Sequence, residues 1–366
     1  MKVQKILLIG EFSNLHWTLA QGLRKLGHEV VVVSNGDVWK NYERDIDIKF
    51  KNFSHKISFL KSFFFSDTYK GFDVVQLIGC PFLLSGSRTS WNKIFFKHLK
   101  AHNKKIYLGA FGDDYYYQNV CVNGGLEYSP LDNIKKGDAY AQEVFDCTSE
   151  LKNINEYLAK EVDGIVAGCY EYYKAYEYGG FSAKLRMIPF PINTDEFNFE
   201  ENEQLGSSKT RFFIGVQRRR NAWKGTDVFV EKLQELSDSN LDMFEVTIAS
   251  DVPYEEYVKM YSNCDILVDQ LYSYSPAMNA LTAMLQGKIV ISGGEADMYQ
   301  MLGENDLFPI INFNPKEDVR QQFLEVLKIK KEEIVRRKEE GVEFVKKYHD
   351  YVEVAKQYIE FWSSEA

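Results

Sequence analysis

The stretch G-V-Q-R-R-R-N-A-W-K-G-T at residues 215–226 places four cations, Arg218, Arg219, Arg220 and Lys224, within seven positions, just ahead of an amphipathic segment. A diphosphate needs this combination: N–H donors, the planar fork of a guanidinium and the point charge of an ammonium close together. Arg220 and Lys224 are the preferred phosphate ligands, with Arg218 next. The same density would also offset the acidic character of the surrounding sequence. A second constellation spans residues 269–295, where Pro276 opens a predicted helix. The free N–H groups of Ala277, Met278 and Asn279 make an anion site there. Asn279 and Thr282, three residues apart, require hydrogen-bond partners. Gly293 and Gly294 either let the backbone approach a ligand or simply turn the chain.

A third candidate is the loop Gly10-Glu11-Phe12-Ser13-Asn14-Leu15-His16, directly after the first apolar run. It lacks the G-x-G-x-x-G spacing of a dinucleotide site. Ser13 or Asn14 is expected to cap the next helix, and His16 falls in its first turn, where capping, packing or a substrate contact are all open readings.

Short aliphatic runs alternating with amphipathic stretches must position these loops. Strands are expected at residues 5–9, 29–33, 73–78, 105–110 and 163–167, with a helix over 15–26 that ends before Gly27. Each run is short enough to be a strand buried on both faces of a parallel sheet. After two prolines, Pro189 and Pro191, and a polar run, the pattern restarts. Strands are expected at 211–216, 244–249, 265–268 and 288–292, helices at 226–236 and 277–286, and two charged helical stretches at 316–347 and 352–362. This predicts an α/β chain of two doubly wound domains. Domain one covers residues 1–190, a linker 191–210, domain two 211–345, and a C-terminal helix at 346–366 is expected to pack back on domain one.

The 366 residues are 45% apolar and 27% charged, which excludes disorder and low-complexity architectures. A net charge of −9 argues against nucleic acid as a partner. That total hides an asymmetry: residues 1–110 carry 17 Lys and Arg against 8 Asp and Glu, so the remainder is strongly acidic. The five cysteines, Cys80, Cys121, Cys147, Cys169 and Cys264, show neither zinc spacing nor a disulfide framework, and fit a reducing cytoplasm. No metal is expected. The apolar run after Lys5 ends at Gly10 and reads as a strand, not a signal peptide, and no run approaches the ~20 residues that span a bilayer.

In order along the chain stand G-H-E-V at 27–30, I-P-F-P-I-N-T-D-E-F at 188–197, W-K-G-T-D at 223–227, D-I-L-V-D-Q-L at 265–271 and A-M-N-A-L-T-A-M-L-Q-G-K-I-V-I-S at 277–292. Their order and spacing resemble the GT-B retaining glycosyltransferases of family 4, over nearly the whole chain. The resemblance implies two Rossmann-like domains facing across a cleft, a nucleotide diphosphate sugar held by the second and a glycan or lipid-linked acceptor held by the first. It implies that Lys224 contacts the donor diphosphate with Arg218 or Arg220 as partner, that Gly112-Asp113 is the loop facing the cleft, and that Gly293 and Gly294 lie beside the donor phosphates. The chain departs from the family at its E-x7-E pair, which aligns with Tyr274 and Thr282, and at a histidine replaced by Phe111; Glu295 is the nearest remaining carboxylate.

The expected assignment is therefore a cytoplasmic retaining glycosyltransferase of surface polysaccharide or glycoconjugate synthesis, with no cofactor beyond its nucleotide-sugar co-substrate. The alternatives are a non-catalytic sugar-nucleotide-binding protein and a sugar-nucleotide 2-epimerase. Asp113, Lys224 and Arg220 are the expected catalytic groups. The donor is assigned Arg218, Lys224, Asn279, Thr282, Gly293, Gly294 and Glu295, and the acceptor Phe12, Ser13, His16, Gly112, Asp114 and Tyr116. Residues 113–150 are long for a connection and could form an acceptor lid whose tyrosines, Tyr115 to Tyr117, either face a sugar or pack locally. Lysines interleaved with aromatics at 49–65 and 91–105 suit either an anionic membrane surface or ordinary helices with wet lysines.

Overall fold

The computed structural model describes residues 3–37, 40–50, 52–134, 149–196, 209–239, 243–250, 252 and 254–364. The chain divides into two compact units. The first comprises Met1–Gly125, Asp146–Asn193 and His349–Ala366, and the second Leu126–Phe145 and Thr194–Tyr348.

The first unit is built on seven strands: β1 (Lys5–Ile9), β2 (Glu29–Ser34), β3 (Ile46–Asp47), β4 (Val74–Leu77), β5 (Lys105–Ala110), β6 (Gly164–Ala167) and β7 (Leu185–Met187). All pair in parallel, in the order 3-2-1-4-5-6-7. Residues 6–9 of β1 and all of β4 and β6 are buried, as strands covered on both faces must be. Its helices are α1 (Leu15–Lys25), α2 (Phe53–Phe65), α3 (Asn92–His102), α4 (Tyr115–Val122), α5 (Ser149–Glu161) and α6 (Tyr170–Tyr178). The two edge strands β3 and β7 were not expected; two and three residues are too short to leave a periodic signal.

The second unit pairs β8 (Thr210–Val216), β9 (Phe244–Ser250), β10 (Ile266–Val268) and β11 (Ile289–Ile291) in parallel, in the order 11-10-8-9. Around them lie α7 (Asn221–Lys224), α8 (Thr226–Asp238), α9 (Tyr254–Ser262), α10 (Met278–Leu285), α11 (Ala296–Leu302), α12 (Val319–Val326) and α13 (Lys331–Tyr348). The charged stretch expected as one helix over 316–347 is thus two, interrupted at residues 327–330.

The last helix, α14 (Tyr351–Ser363), belongs to the first unit. It lies so close to α1 that a Cβ on Gly22 would sit 2.2 Å from the Tyr351 carbonyl oxygen. That approach explains a glycine in the middle of a helix, where it ordinarily costs about 0.5–1 kcal/mol relative to alanine. Lys105 Nζ and the Tyr107 hydroxyl both donate to the Trp362 carbonyl, tying α14 to β5. The polar span expected as a linker at 191–210 begins as packed structure. Ile192 N–H donates to the His349 carbonyl at 2.7 Å, Tyr351 N–H returns to the Ile192 carbonyl at 3.0 Å, and His349 Nδ1 lies 2.8 Å from the Phe190 carbonyl. Residues 197–208 of that span lie outside the described residues.

Gly22→Val should destabilise the first unit by about 1–3 kcal/mol through overpacking against α14. Urea unfolding followed by the fluorescence of the buried Trp362 measures it, and an unchanged midpoint would contradict the close packing of these helices.

Candidate functional site

In the second unit, register fixes which loops meet. Val216 pairs with Ser250, and Val268 pairs with both Ile214 and Ile291. The carboxyl ends of all four strands therefore share one edge, where open parallel sheets carry ligands. The cationic loop leaves β8 there, Asp269 follows β10, and Ser292 to Glu295 follow β11.

Asp269 organises this edge. It is 3% exposed, and its Oδ1 lies 3.4 Å from both Lys224 Nζ and Asn279 Nδ2. Asn279 Oδ1 in turn accepts from the Tyr257 hydroxyl at 3.4 Å. Lys224 and Asn279, 55 residues apart in separate motifs, thus share one buried carboxylate. Arg218 is exposed, its Nε 3.4 Å from Ser250 Oγ, and Arg219 is exposed beside it. Arg220 is half-buried and precedes α7, which ends at Gly225 in the left-handed conformation. Ala277 is the extended residue before α10, and no side chain caps that helix, so its first N–H groups face the same edge.

Four of the residues assigned to the donor have internal explanations. Thr282 Oγ1 donates back to the Met278 carbonyl at 2.8 Å, an ordinary helix contact. A Cβ on Gly293 would lie 2.4 Å from the Ser273 carbonyl, and one on Gly294 would lie 2.8 Å from Ile310. Packing alone therefore requires both glycines. Glu295 Oε1 accepts from the Tyr128 hydroxyl at 2.6 Å and from Asn312 Nδ2 at 2.7 Å.

Tyr128 shows that residues 126–134, expected in the first domain as part of an acceptor lid, belong instead to the second unit. Its ring stacks on Tyr274 at 4.5 Å, its N–H donates to the Tyr274 hydroxyl, and Asn133 Nδ2 donates to the Ala222 carbonyl and to Asp227. Tyr274, which occupies the first E-x7-E position, is buried by this strap. Residues 135–148 of the expected lid, with Cys147, lie outside the described residues; the other four cysteines are buried thiols.

In the first unit, the loops after β1, β4 and β5 converge. The Phe12 ring, 38% exposed, lies over Gly79 and Gly112, 3.3 and 3.7 Å from where their Cβ atoms would be. Ser13 N–H donates to Asp37 Oδ2, and Lys40 Nζ reaches both Ser13 Oγ and Asp37. The expected cap of α1 is corrected here. Ser13 and Asn14 both adopt positive φ, and Asn14 makes no side-chain cap; the Glu11 carboxylate accepts from His16 and Trp17 N–H at 3.2 and 3.0 Å instead. Burial pushes Glu11 up to about 8, against those hydrogen bonds. His16 is fully buried with Nδ1 on the Gly10 carbonyl at 2.8 Å, and burial pulls its imidazole down to about 3, so it is neutral and offers no surface to an acceptor.

Asp113 is half-buried at the start of the loop that enters α4. Asp114 caps α4 through the Tyr117 N–H and receives the Tyr176 hydroxyl; burial raises it to about 6 despite both bonds. Tyr116 is buried among Tyr115, Tyr176 and Phe181, so of the open readings for these tyrosines the structure shows local packing rather than a face offered to a sugar. Asp37, Lys40, Tyr128 and Asp269 were missed as site residues. Only Asp269 left a signal, a carboxylate placed immediately after a fully apolar strand.

No protein-family model matches this sequence, and no curated protein matches it. Solved structures do match over the full length. Sucrose-phosphate synthase from Thermosynechococcus elongatus aligns at TM-score 0.62 and 15% identity, covering 98% of each chain. HepE from Anabaena, in complex with UDP-glucose, aligns at TM-score 0.60 and 12% identity, covering 99% of this chain and all of its own. The catalytic domain of starch synthase IV from Arabidopsis thaliana, bound to ADP and acarbose, aligns at 0.56 and 12%, covering 99% of each. The two parallel-sheet α/β units of this chain are those of the GT-B fold.

Between its ordinary value of 4.5 and its folded value of about 8, Glu11 keeps a proton that the unfolded chain has lost, so rising pH weakens folding through that window. His16 acts in the opposite sense between about 3 and 6.5. Glu11→Gln removes only the first effect. The variant should gain stability over the parent as pH rises from about 5 to about 8 in urea unfolding; parallel profiles would mean that Glu11 is ionised in the fold.

Proposed function

We propose that this chain transfers a glycosyl group from a nucleotide diphosphate sugar to a glycan or glycolipid acceptor, with retention at the anomeric carbon, in surface polysaccharide or glycoconjugate synthesis. The observation that carries this is the shared edge of the second sheet, where the Arg218 to Lys224 loop, Asn279 and the uncapped start of α10 are brought together around Asp269. Structural relatives crystallised with UDP-glucose and ADP support the donor class.

In this reading Lys224 and Arg220, with Arg218 at the rim, neutralise the diphosphate as the bond from the anomeric carbon to the phosphate oxygen breaks. The N-terminus of α10 adds its dipole. The leaving phosphate takes the proton of the attacking acceptor hydroxyl, so no side-chain nucleophile is required. Cationic side chains stand where a divalent ion would otherwise sit, and no metal is needed. Asp113 orients the acceptor, beside Phe12, Ser13 and Gly112.

A second reading, a sugar-nucleotide-binding protein without turnover, is favoured by one observation. Tyr274 and Thr282 supply no carboxylate, and their hydroxyls are engaged by Tyr128 and Met278. Incubation with a panel of nucleotide sugars separates the readings. Transfer or donor hydrolysis is expected; tight binding without turnover would support the second reading, and inversion at C2 without transfer would identify an epimerase.

Lys224→Ala should weaken binding of UDP, GDP or ADP by on the order of ten- to a hundredfold in calorimetry, the loss expected of one charge-assisted contact. It also strips a buried carboxylate of its cation, so the exposed Arg218→Ala serves as a second variant with no folding consequence. Unchanged affinity in both would remove the donor-site assignment.

A further inference from the structure

We propose that the face formed by α2 and α3 docks on an anionic bilayer surface. Steps of four residues along α2 place Phe53, Ile57, Lys61 and Phe65 on one stripe, and all four are exposed, Phe53 at 75% and Phe65 at 83%. The fold uses a different face of the same helix. Phe59 and Phe63 are buried, with ring centroids 5.9 and 4.8 Å from that of Phe95 on α3. Packing therefore accounts for Phe59 and Phe63, as it does for Phe64 against the same ring, and leaves the outer stripe unexplained.

The neighbouring helix continues the pattern. Phe64 stacks on Phe95 at 5.6 Å, which sets α3 beside α2. α3 exposes Ile94, and Trp91 stands exposed just ahead of it, with Lys93, Lys97 and Lys100 also at the surface.

Charge selects the occupant. Residues 48–105 hold eleven Lys and Arg and only two acids, Asp67 and Asp73, which face Lys70 and Lys104. Lys100 pairs with Glu161, and Lys93 lies over the Tyr157 ring. Lys56, Lys61 and Lys97 have no ion-pair partner among the described residues. A second copy of this face would bring the same sign of charge and be repelled. Anionic headgroups supply the opposite charge, aromatic rings settle at the depth of the headgroups, and lysine stems extend along apolar surface with their ammonium groups in water. No helix among the described residues is long and apolar enough to cross a membrane, so the contact is one that lies on the surface.

This inference does not depend on the glycosyl-transfer reading, and its test contains no nucleotide. The intact chain is sedimented with vesicles of phosphatidylcholine alone or with about a quarter phosphatidylglycerol. Binding to the anionic vesicles only, weakened by added salt, is expected. A Phe53→Ser, Phe65→Ser double variant and a Lys56→Glu, Lys61→Glu, Lys97→Glu triple variant should each lose on the order of tenfold in affinity, with circular dichroism unchanged because every altered residue is at or near the surface. Failure to bind anionic vesicles, or binding that both variants retain, would overturn the proposal. So would self-association of the parent chain that the phenylalanine variant abolishes.

Discussion

Parallel pairing of β8 with β9 and β10, and of β10 with β11, is the constraint on which the candidate site depends. Parallel strands in register end on one edge, so residues from four separate stretches of sequence are delivered to the same place. β10 and β11 are buried along their whole length, as parallel strands covered on both faces are. The buried carboxylate of Asp269 can then hold Lys224 and Asn279 together. A buried acid left unpaired is costly, so the same contact that presents the cation also keeps the edge closed.

The architecture was legible because parallel strands buried on both faces read as short continuous apolar runs, and the helices between them keep a 3.6-residue period. The two doubly wound α/β domains and the loops at the carboxyl ends of their longer strands follow from that. What escaped was whatever depends on contact between distant segments. Glu11 displaced Ser13 and Asn14 as the cap of α1, because a positive φ at both turned them away from the role their residue types suggest. Residues 126–134 joined the second unit through Tyr128 and Asn133, contacts to positions almost a hundred residues or more away that no local pattern announces. Gly293 and Gly294, read either as room for a ligand or as a turn, are glycines that packing against Ser273 and Ile310 already requires.

The strap changes the meaning of the missing glutamates. Tyr274 and Thr282 are not vacancies in a glutamate-based site. Tyr274 stacks on Tyr128, whose hydroxyl reaches Glu295, so that carboxylate is already held by Tyr128 and Asn312. In the proposed reading, recognition of a nucleotide rests on the cations of the β8 loop and the start of α10 more than on a carboxylate.

A structure of the chain with UDP would test that account most directly. The account places the diphosphate against Lys224, Arg220 and the first N–H groups of α10. A diphosphate bound instead at the Gly10 to His16 loop of the first sheet, or one that leaves Lys224 on Asp269 without touching it, would contradict it.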